Sequence, residues 1–478
     1  MTQTRLSILQ SIAAYVPQRV VGQALAAETS AAMQQAEHVE AALLFADVSG
    51  FTAMSENLAR LGKEGAEELT RVLSAYFTAM IDLVHRYGGQ VIKFGGDAIT
   101  CAFACRPASD ALDEAPIFRC VLSACACALT MQERMGAFQA VETRGETFQL
   151  RMKIGISAGK VLSLSVGSVD EGLEYVLAGT PLDRMSQAEH HASAGEVVID
   201  GACLESTERT VHDLRLVTGE NREGFLLIEG LDRPAHPLEG GSIAWETLSA
   251  AEIERAIERL VPYLPPTVYE RIVEGQREFV GEHRRVTSMF VNFAGIDYTQ
   301  DPEAGSKLHR YFTGAQEIVH RYGGRLNRVT TGDKGSLLHI IFGAPVAHED
   351  NEERAVGCAL ALQQRGADLP FITEQRIGIA SGYVFAGQVG AEWRREYTTM
   401  GDVVNLSARL MQAAALGEVL LDQRTARAAT EEFVCHDLEP IKVKGKQEPV
   451  AVCQAVSPRE AVKVWGDERA TARRTSPI

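Results

Sequence analysis

The sequence predicts an α+β protein in which two ferredoxin-like units, each βαββαβ with extra strands, form an intramolecular pseudo-heterodimer. The first observation is a long internal repeat. YFTAMIDLVHRYGGQ (76–90) recurs as YFTGAQEIVHRYGGR (311–325), an offset of 311 − 76 = 235 residues in a chain of 478. The second observation is that each copy alternates short apolar runs with stretches of helical periodicity. Together they indicate two homologous domains rather than a short-period solenoid.

The repeat extends well beyond that stretch. Three further pairs of blocks keep the same order and similar spacing: LLFADVSGFT (43–52) with SMFVNFAGID (288–297), KIGISAGKV (153–161) with RIGIASGYV (376–384), and LEYVLAGTPLDRMSQAE (173–189) with REYTTMGDVVNLSARLM (395–411). We therefore divide the chain into an N-terminal helical segment (1–38), a first unit (39–205), a linker (206–283), a second unit (284–456) and a polar tail (457–478).

The elements of the first copy follow from local patterns. ALLFADV is a short apolar run ending in polar and glycine residues, which predicts a buried strand. Apolar residues recur at helical spacing from Leu69 to Val84, and Gly88 is a suitable C-cap. QVIKFGGDAITCAFA predicts a hairpin with Asp97 at its tip. The copy is completed by a helix from about Pro116 to Met135, strands near FQLRMKIGISAG and EYVLAG, a helix near 183–192, and the strand EVVID.

This topology brings two distant acids together. The first strand lies antiparallel beside the third, so Asp47 at its end is expected next to Asp97 at the hairpin tip. A lone aspartate in either place is usually a turn former or a helix cap. The joint pattern, FADVSGFT before a helix and KFGGDA in a hairpin after it, favours a site for a hard cation. Mg²⁺ typically takes one or two carboxylates and completes its shell with water and phosphate.

Composition limits the function classes. The 47 basic and 63 acidic residues give a net charge of −16, which argues against non-specific binding to nucleic acid or anionic lipid. The sequence has no run of 18 apolar residues and no signal-peptide pattern at its start, so we expect a cytoplasmic protein. Cys120, Cys125 and Cys127 crowd one apolar stretch. We interpret them as small buried hydrophobes rather than a metal or redox cluster.

These motifs resemble the class III nucleotidyl cyclases, and among them the soluble adenylyl cyclase branch, in which two unlike catalytic domains share one chain. The resemblance runs from about Ile12 to Val456. It implies conversion of ATP to 3′,5′-cyclic AMP and pyrophosphate by two-metal-ion catalysis at the interface of the two domains. It also implies two Mg²⁺ ions, with Mn²⁺ or Ca²⁺ as substitutes, bound by Asp47, Asp97 and the carbonyl of Val48.

The segment after the first strand is expected to hold phosphate. Its backbone N–H groups open a helix, where anions bind favourably; the residues are Ser49, Gly50, Phe51 and Thr52. No Walker-type loop competes for this role, because GISAGKV (155–161) is one residue short and has Val161 where serine or threonine is needed.

The second copy carries what the first lacks. It has Asn292 at the position of Asp47, and a neutral amide binds a divalent ion poorly. By the resemblance, Asn405 orients the ribose and Arg409 stabilises charge on the α-phosphate, whereas the first copy has Asp183 and Gln187 there. Lys334 and Thr398 match the adenine-recognition pair. A guanine-selective site is expected to have an acidic residue in place of Lys334. The copies are therefore interpreted as complementary halves of one site.

The leftover pseudo-symmetric site binds bicarbonate in the soluble branch, through a lysine and an arginine. Lys93 matches the lysine. The arginine position aligns with Ser186, and Arg184, two residues earlier, points elsewhere on a helix. The sequence therefore predicts weak or absent bicarbonate activation.

Several alternatives stay open at this stage. Guanylyl cyclase activity is disfavoured by Lys334 and Thr398, and a diguanylate-cyclase-like enzyme by the Asn405–Arg409 segment. A catalytically inactive nucleotide or bicarbonate sensor, or a scaffold that dimerises through this fold, would also use the same architecture.

The linker is either regulatory or a spacer that packs the copies together, and we prefer the spacer. Pairing within one chain makes a monomer plausible. The polar tail is either a true end or the cut edge of a longer chain with regulatory domains.

Overall fold

The computed structural model describes residues 2–27, 29, 33–59, 61–105, 116–144, 146–205, 216–232, 243–276, 281–333, 335–443 and 448–459. The N-terminal segment contains two helices, α1 (Thr2–Ala13) and α2 (Gln18–Ala26). The first copy contains β1 (Glu37–Ser49), α3 (Phe51–Ala59), α4 (Lys63–Arg86), β2 (Gln90–Gly95), β3 (Ala98–Ala104), α5 (Pro116–Met135), β4 (Val141–Glu142), β5 (Thr147–Phe148), β6 (Arg151–Ser168), β7 (Gly172–Ala178), α6 (Thr180–His191), β8 (Val197–Asp200), α7 (Ala202–Glu205), β9 (Leu216–Arg222) and β10 (Phe225–Leu231).

The rest of the chain repeats this order after two helices. These helices are α8 (Ala250–Leu260) and α9 (Pro266–Val273). The second copy contains β11 (Glu282–Ala294), α10 (Ala304–Arg321), β12 (Arg325–Gly332), β13 (Gly335–Phe342), α11 (Asn351–Ala367), β14 (Glu374–Gly390), β15 (Arg395–Met400), α12 (Asp402–Ala413), β16 (Val419–Asp422), α13 (Gln423–Ala429), β17 (Phe433–Ile441) and β18 (Val450–Pro458). Among the described residues, no helix is both long and apolar enough to cross a membrane.

The two copies have the same sheet topology. The first sheet has the order β2-β3-β1-β6-β8-β10-β9, with β7 paired to β6. The second has the order β12-β13-β11-β14-β16-β18-β17, with β15 paired to β14. Strand β1 runs antiparallel to β3, with Ala46 opposite Ile99. The predicted α+β class, with two ferredoxin-like units and extra strands, is confirmed.

One boundary differs from the sequence division. The sequence division places 206–283 in the linker, yet β9 and β10 belong to the first sheet, where Phe225–Leu227 pairs with Val198–Asp200. The hairpin turn is made by Glu223 and Gly224, both with positive φ, as a two-residue hairpin loop requires. The sequence signal was weak because β9 is largely solvent-facing and lacks a clean apolar alternation.

Each copy completes the hydrophobic core of the other. Phe385, Val389 and Met400 of the second copy belong to the core of the first. Reciprocally, Leu164, Val166 and other residues of the first copy belong to the core of the second. The exchange occurs because β6 and β14 are much longer than their neighbours, so that their ends reach the facing copy. The predicted pseudo-heterodimer is thus held together by shared apolar burial.

The N-terminal and linker helices form a third layer. Their apolar faces pack together against the first sheet in a cluster that includes Leu9, Ile12, Ile253, Ile257 and Leu260. Helix α8 starts with a capping box, in which Ser249 and Glu252 satisfy each other's backbone N–H groups. This arrangement is what the spacer interpretation of the linker expects.

Basic side chains close the interface between the copies, where the edge strands β2 and β12 face each other. Lys93 donates to the carbonyl of Val329, and Arg328 donates to the carbonyl of Phe94. An edge strand leaves backbone groups unpaired. These reciprocal contacts satisfy them across the pseudo-two-fold axis.

Arg394 is the most deeply embedded of these cross-links. Its guanidinium is almost fully buried and donates to the carbonyls of Val91 and Ile92, at 3.1 and 3.0 Å, and of Tyr15 at 3.0 Å. One side chain of the second copy thereby holds both the first copy and the N-terminal segment.

We expect Arg394→Met to lower the free energy of unfolding by about 3 kcal/mol, because buried carbonyls lose charge-assisted hydrogen bonds. Urea denaturation followed by circular dichroism measures this loss. Arg427→Met is the matched control, since Arg427 is exposed on α13. Equal stability of the two variants would contradict the proposed cross-link.

Candidate active site

Asp47 and Asp97 lie at one edge of the first sheet, as predicted. Asp47 is near the end of β1, opposite Lys153 of β6. Asp97 occupies the turn of the β2–β3 hairpin, where Gly95 pairs with Ala98. Because β3 also pairs with β1, the hairpin tip and the end of β1 meet at the same edge.

The electrostatics confirm that the two carboxylates are neighbours. Burial, followed by the charge of Asp47, raises the pKa of Asp97 to about 7. The hydroxyl of Tyr76 is buried nearby without a hydrogen bond, and burial together with Asp97 raises the pKa of that hydroxyl well above its usual range. Lys153 lies 3.9 Å from Asp47 but also pairs with Glu189. The two carboxylates therefore lie close enough to repel each other, with Lys153 near one of them.

This donor set fits a divalent cation. Asp47 and Asp97 offer hard oxygen ligands, and the carbonyl of Val48 is adjacent to the first of them. A cation would offset the burial and the repulsion by Asp47 that together raise the pKa of Asp97. Within the described part of the chain, no group of three or more histidine, cysteine, aspartate or glutamate side chains could hold a metal ion. The pair would therefore need further ligands from solvent or substrate.

The predicted phosphate-holding segment forms a tight turn into a helix. Gly50 has φ +94°, and a Cβ there would lie 2.4 Å from the carbonyl oxygen of Gln149, so only glycine fits. Helix α3 begins at Phe51, which is buried, and the backbone of Thr52 follows in its first turn. Ser49 is exposed before the turn. Backbone N–H groups at this helix start therefore lie close in sequence to Asp47.

Thr398 is fully buried on β15 of the second copy. Arg328 donates one hydrogen bond to its hydroxyl and lies 3.2 Å from Glu396. The other arm of the same guanidinium donates to the carbonyl of Phe94, three residues before Asp97. One side chain thus joins strand β15 of the second copy to the hairpin that carries Asp97.

Asn405 and Arg409 lie on α12, which begins after Gly401 at φ +146°. They are four positions apart and so share one face of the helix. Both side chains are partly exposed. The structure places them in the second copy only, on the helix that follows the strand of Thr398.

Arg328 is a site residue that the sequence analysis missed. Lys334, our predicted base-contacting residue, lies outside the described residues. The signal for Arg328 was available, because 328 − 93 = 235 is the offset of the repeat and pairs it with Lys93. The hairpins agree: both strands carry a bulge immediately before this residue, between Val91 and Lys93 and between Leu326 and Arg328.

The pseudo-symmetric site carries a different set of polar residues. Asn292 is buried and donates at 3.4 Å to the carbonyl of Ser336. Asp333 lies 3.4 Å from the imidazole of His190. Burial and the charge of Asp333 raise the pKa of Asp183 to about 6. This half has Asp183 and the neutral Gln187 where the first site has Asn405 and Arg409.

The residues of the predicted bicarbonate clamp are engaged elsewhere. Lys93 lies 2.7 Å from Glu174 and contacts a backbone carbonyl. Arg184 pairs with Asp200 at 2.6 Å and lies over the ring of Phe225. Ser186 occupies the expected arginine position. The orientation of Arg184 away from the site agrees with the helical offset noted in the sequence.

Comparison with known proteins identifies relatives of both copies. A family model described as "Adenylate and Guanylate cyclase catalytic domain" matches residues 33–223 and 280–454. Human adenylate cyclase type 10 is 26% identical over 397 residues, which are 78% of this chain and 24% of that protein. The mouse protein of the same name is 26% identical over 445 residues, 88% of this chain and 26% of that protein. The chain spans about a quarter of the length of these relatives.

A solved structure shows the same two-copy fold. A class III adenylyl cyclase-like ATP-binding protein from Pseudomonas aeruginosa superimposes with a TM-score of 0.57 at 15% identity. The match covers 86% of this chain and 92% of that one. At this identity the likeness supports the architecture alone.

Proposed function

This chain belongs to the adenylate and guanylate cyclase catalytic domain family, and we propose that it converts ATP to cyclic AMP and pyrophosphate at one site shared by its two copies. The observation that carries the proposal is the unequal distribution of functional residues. Asp47 and Asp97 occur only in the first copy, whereas Asn405 and Arg409 occur only in the second. Arg328 connects the two halves.

Asp47, Asp97 and the Val48 carbonyl would hold two Mg²⁺ ions, for which Mn²⁺ or Ca²⁺ could substitute. When bound, these ions lower the pKa of the ribose 3′-hydroxyl and neutralise the triphosphate. The backbone N–H groups of Ser49–Thr52 would hold phosphate oxygens before the reaction. The first copy would therefore hold the metal-binding carboxylates and the phosphate groups of the nucleotide in a defined geometry.

The second copy would orient the nucleotide and stabilise the transition state. The 3′-hydroxyl releases its proton to solvent and its oxygen forms a bond to the α-phosphorus, while the bond from phosphorus to the bridging oxygen breaks and pyrophosphate leaves with that electron pair. Asn405 would position the ribose. Arg409 would stabilise the extra charge on the α-phosphate, which is largest in the transition state.

Base selection would rest on Thr398 and Arg328. The guanidinium of Arg328 can donate to N1 of adenine, and the Thr398 hydroxyl can accept from the 6-amino group. Guanine carries a hydrogen on N1, so an arginine facing that position would be repelled. Lys334 stays a prediction as a further base contact.

The direct test is an assay of the purified chain with ATP and Mg²⁺, in which cyclic AMP is the expected product. GTP in place of ATP should give much less cyclic product, because of Arg328. If ATP bound without turnover, the chain would be a nucleotide sensor. If ATP neither bound nor raised the melting temperature, the scaffold alternative would be favoured.

We expect bicarbonate to leave the rate of cyclic AMP formation nearly unchanged. Lys93 is paired with Glu174, and Ser186 cannot supply the second cation of an anion clamp. The measurement compares bicarbonate with chloride at fixed pH and ionic strength. A several-fold stimulation by bicarbonate would overturn this prediction.

We propose that the active form is a cytoplasmic monomer. The two unlike copies complete one another's cores within one chain, so no second chain is needed to build the site. Sedimentation at assay concentrations, followed by activity measurement on the same sample, tests this state.

A further inference from the structure

A large cavity lies between the two copies, apart from the Asp47–Asp97 edge. Its volume is about 870 Å³, within the range of small-molecule sites. Four separate parts of the chain line it: the end of the N-terminal segment, the linker, and both copies. Its apolar wall includes Tyr15, Ile92, Tyr263, Leu264 and Tyr269.

A guanidinium with an unsatisfied donor lines this cavity. The Nη1 atom of Arg325 is buried and makes no hydrogen bond in the structure. The guanidinium lies 5.6 Å from the centre of the Tyr397 ring, which also lines the cavity. Burial lowers the pKa of Arg325, because the charged form loses contact with water. A buried donor of this kind costs free energy unless a partner is present.

The neighbouring charges leave an excess of positive charge in the interior. The charged residues that line the cavity without being exposed are Lys93, Arg325, Arg354 and Arg394, against Glu174 and Glu396, so four cations face two carboxylates. Lys93 is paired with Glu174, Arg354 with Asp350, and Arg394 with backbone carbonyls. Arg325 is therefore the cation best placed to bind an added anion.

The exposed lining residues carry the opposite charge. They are Asp170, Glu171, Glu270 and Glu317, against the single cation Arg321. An acidic entrance disfavours polyanions such as nucleoside triphosphates. It opposes a single carboxylate much less, and the apolar walls favour a ligand with an aromatic or aliphatic body.

We propose that this cavity is a binding site for a small organic monocarboxylate, whose carboxylate is held by Arg325 and whose apolar body packs among the tyrosines. Lys93 lines this cavity, whereas Asp47, Asp97, Thr398, Asn405, Arg409 and Ser186 do not. Binding itself does not depend on the proposed cyclase activity.

The cavity shares a wall with the candidate active site. Glu396 and Tyr397 of β15 line the cavity, and Thr398 is the next residue of the same strand. The linker and the N-terminal segment also line the cavity. A ligand bound there would contact the strand that carries the base contact. We therefore expect it to change the rate of cyclic AMP formation, and this expectation rests on the proposed function.

Isothermal titration calorimetry with 2-naphthoate, without nucleotide, tests the binding. We expect saturable binding to the wild type and at least about tenfold weaker binding to Arg325→Gln, because a charge-assisted hydrogen bond is lost. Neutral 2-naphthalenemethanol should bind weakly and respond little to the substitution. Arg427→Gln, an exposed control, should behave as the wild type.

A second variant keeps the test decisive if Arg325→Gln folds poorly. Leu264→Trp leaves Arg325 in place but fills part of the cavity, so it should also weaken 2-naphthoate binding. Absence of binding to the wild type, equal affinity in Arg325→Gln, or competition by ATP would each overturn the proposal. A chain that binds 2-naphthoate but forms no cyclic AMP would refute the proposed function and leave this site standing.

Discussion

Asp97→Asn is expected to lower the rate of cyclic AMP formation by about 1,000-fold, because loss of one metal-binding carboxylate removes several kcal/mol of transition-state stabilisation. The fold should be unaffected, since Asp97 lies in a hairpin turn and asparagine is well tolerated in turns. The measurement is the initial rate with saturating Mg²⁺ and ATP. Survival of activity would show that the metal assignment is wrong.

The same substitution should have a pH-dependent effect on stability. The pKa of Asp97 is raised from 3.8 to about 7 in the folded state, so the native protein holds this proton more tightly than the unfolded chain. The resulting stabilisation is complete below pH 3.8 and is lost as the pH rises through about 7. In metal-free buffer, Asp97→Asn should therefore melt above the wild type at pH 8, and the difference should shrink toward pH 4.

Added Mg²⁺ distinguishes this explanation from a general effect of charge. It should raise the melting temperature of the wild type at pH 8 and have little effect on Asp97→Asn. Asp82→Asn, at an exposed position of α4, is the matched control and should show neither the pH dependence nor the loss of activity. A pH-independent difference between the Asp97 variant and the wild type would contradict the electrostatic argument.

Arg409→Ala is expected to lower kcat by about 100- to 1,000-fold with little change in KM for ATP. The reason is that Arg409 would act on charge that develops in the transition state, and such a loss appears in kcat and kcat/KM alike. Steady-state kinetics measure both parameters. Arg427→Ala is a control at an exposed position in the same copy. A rise in KM alone would assign Arg409 to ground-state binding.

Mixing the two inactive variants tests whether the site is intramolecular. Asp97→Asn retains the second half, and Arg409→Ala retains the first. Because the cores of the two copies interlock within one chain, an equimolar mixture should stay inactive. Recovery of activity would mean that halves from different chains can combine.

Local patterns in the sequence determined the architecture and much of the candidate site. The 235-residue offset revealed two domains, because a duplicated unit preserves local order. Strand alternation and hairpin signals predict that Asp47 lies beside Asp97. Asn292 in the second copy indicates which half lacks the proposed metal-binding pair. Each of these features depends on the residues of a short stretch of chain, because hydrophobic periodicity and turn-forming residues determine local structure.

Only the tertiary structure decided how the halves join. Arg328 and Arg394 donate hydrogen bonds to carbonyls of β2, which lies far away in the sequence. No local pattern of residues predicts such contacts. Strands β9 and β10 joined the first sheet because the free edge of β8 needed a partner, although their own alternation was weak. The cavity at Arg325 likewise exists only where four segments meet. Edge pairing, core exchange and cavity walls depend on which surfaces approach each other, and that is fixed by the packing of the whole chain.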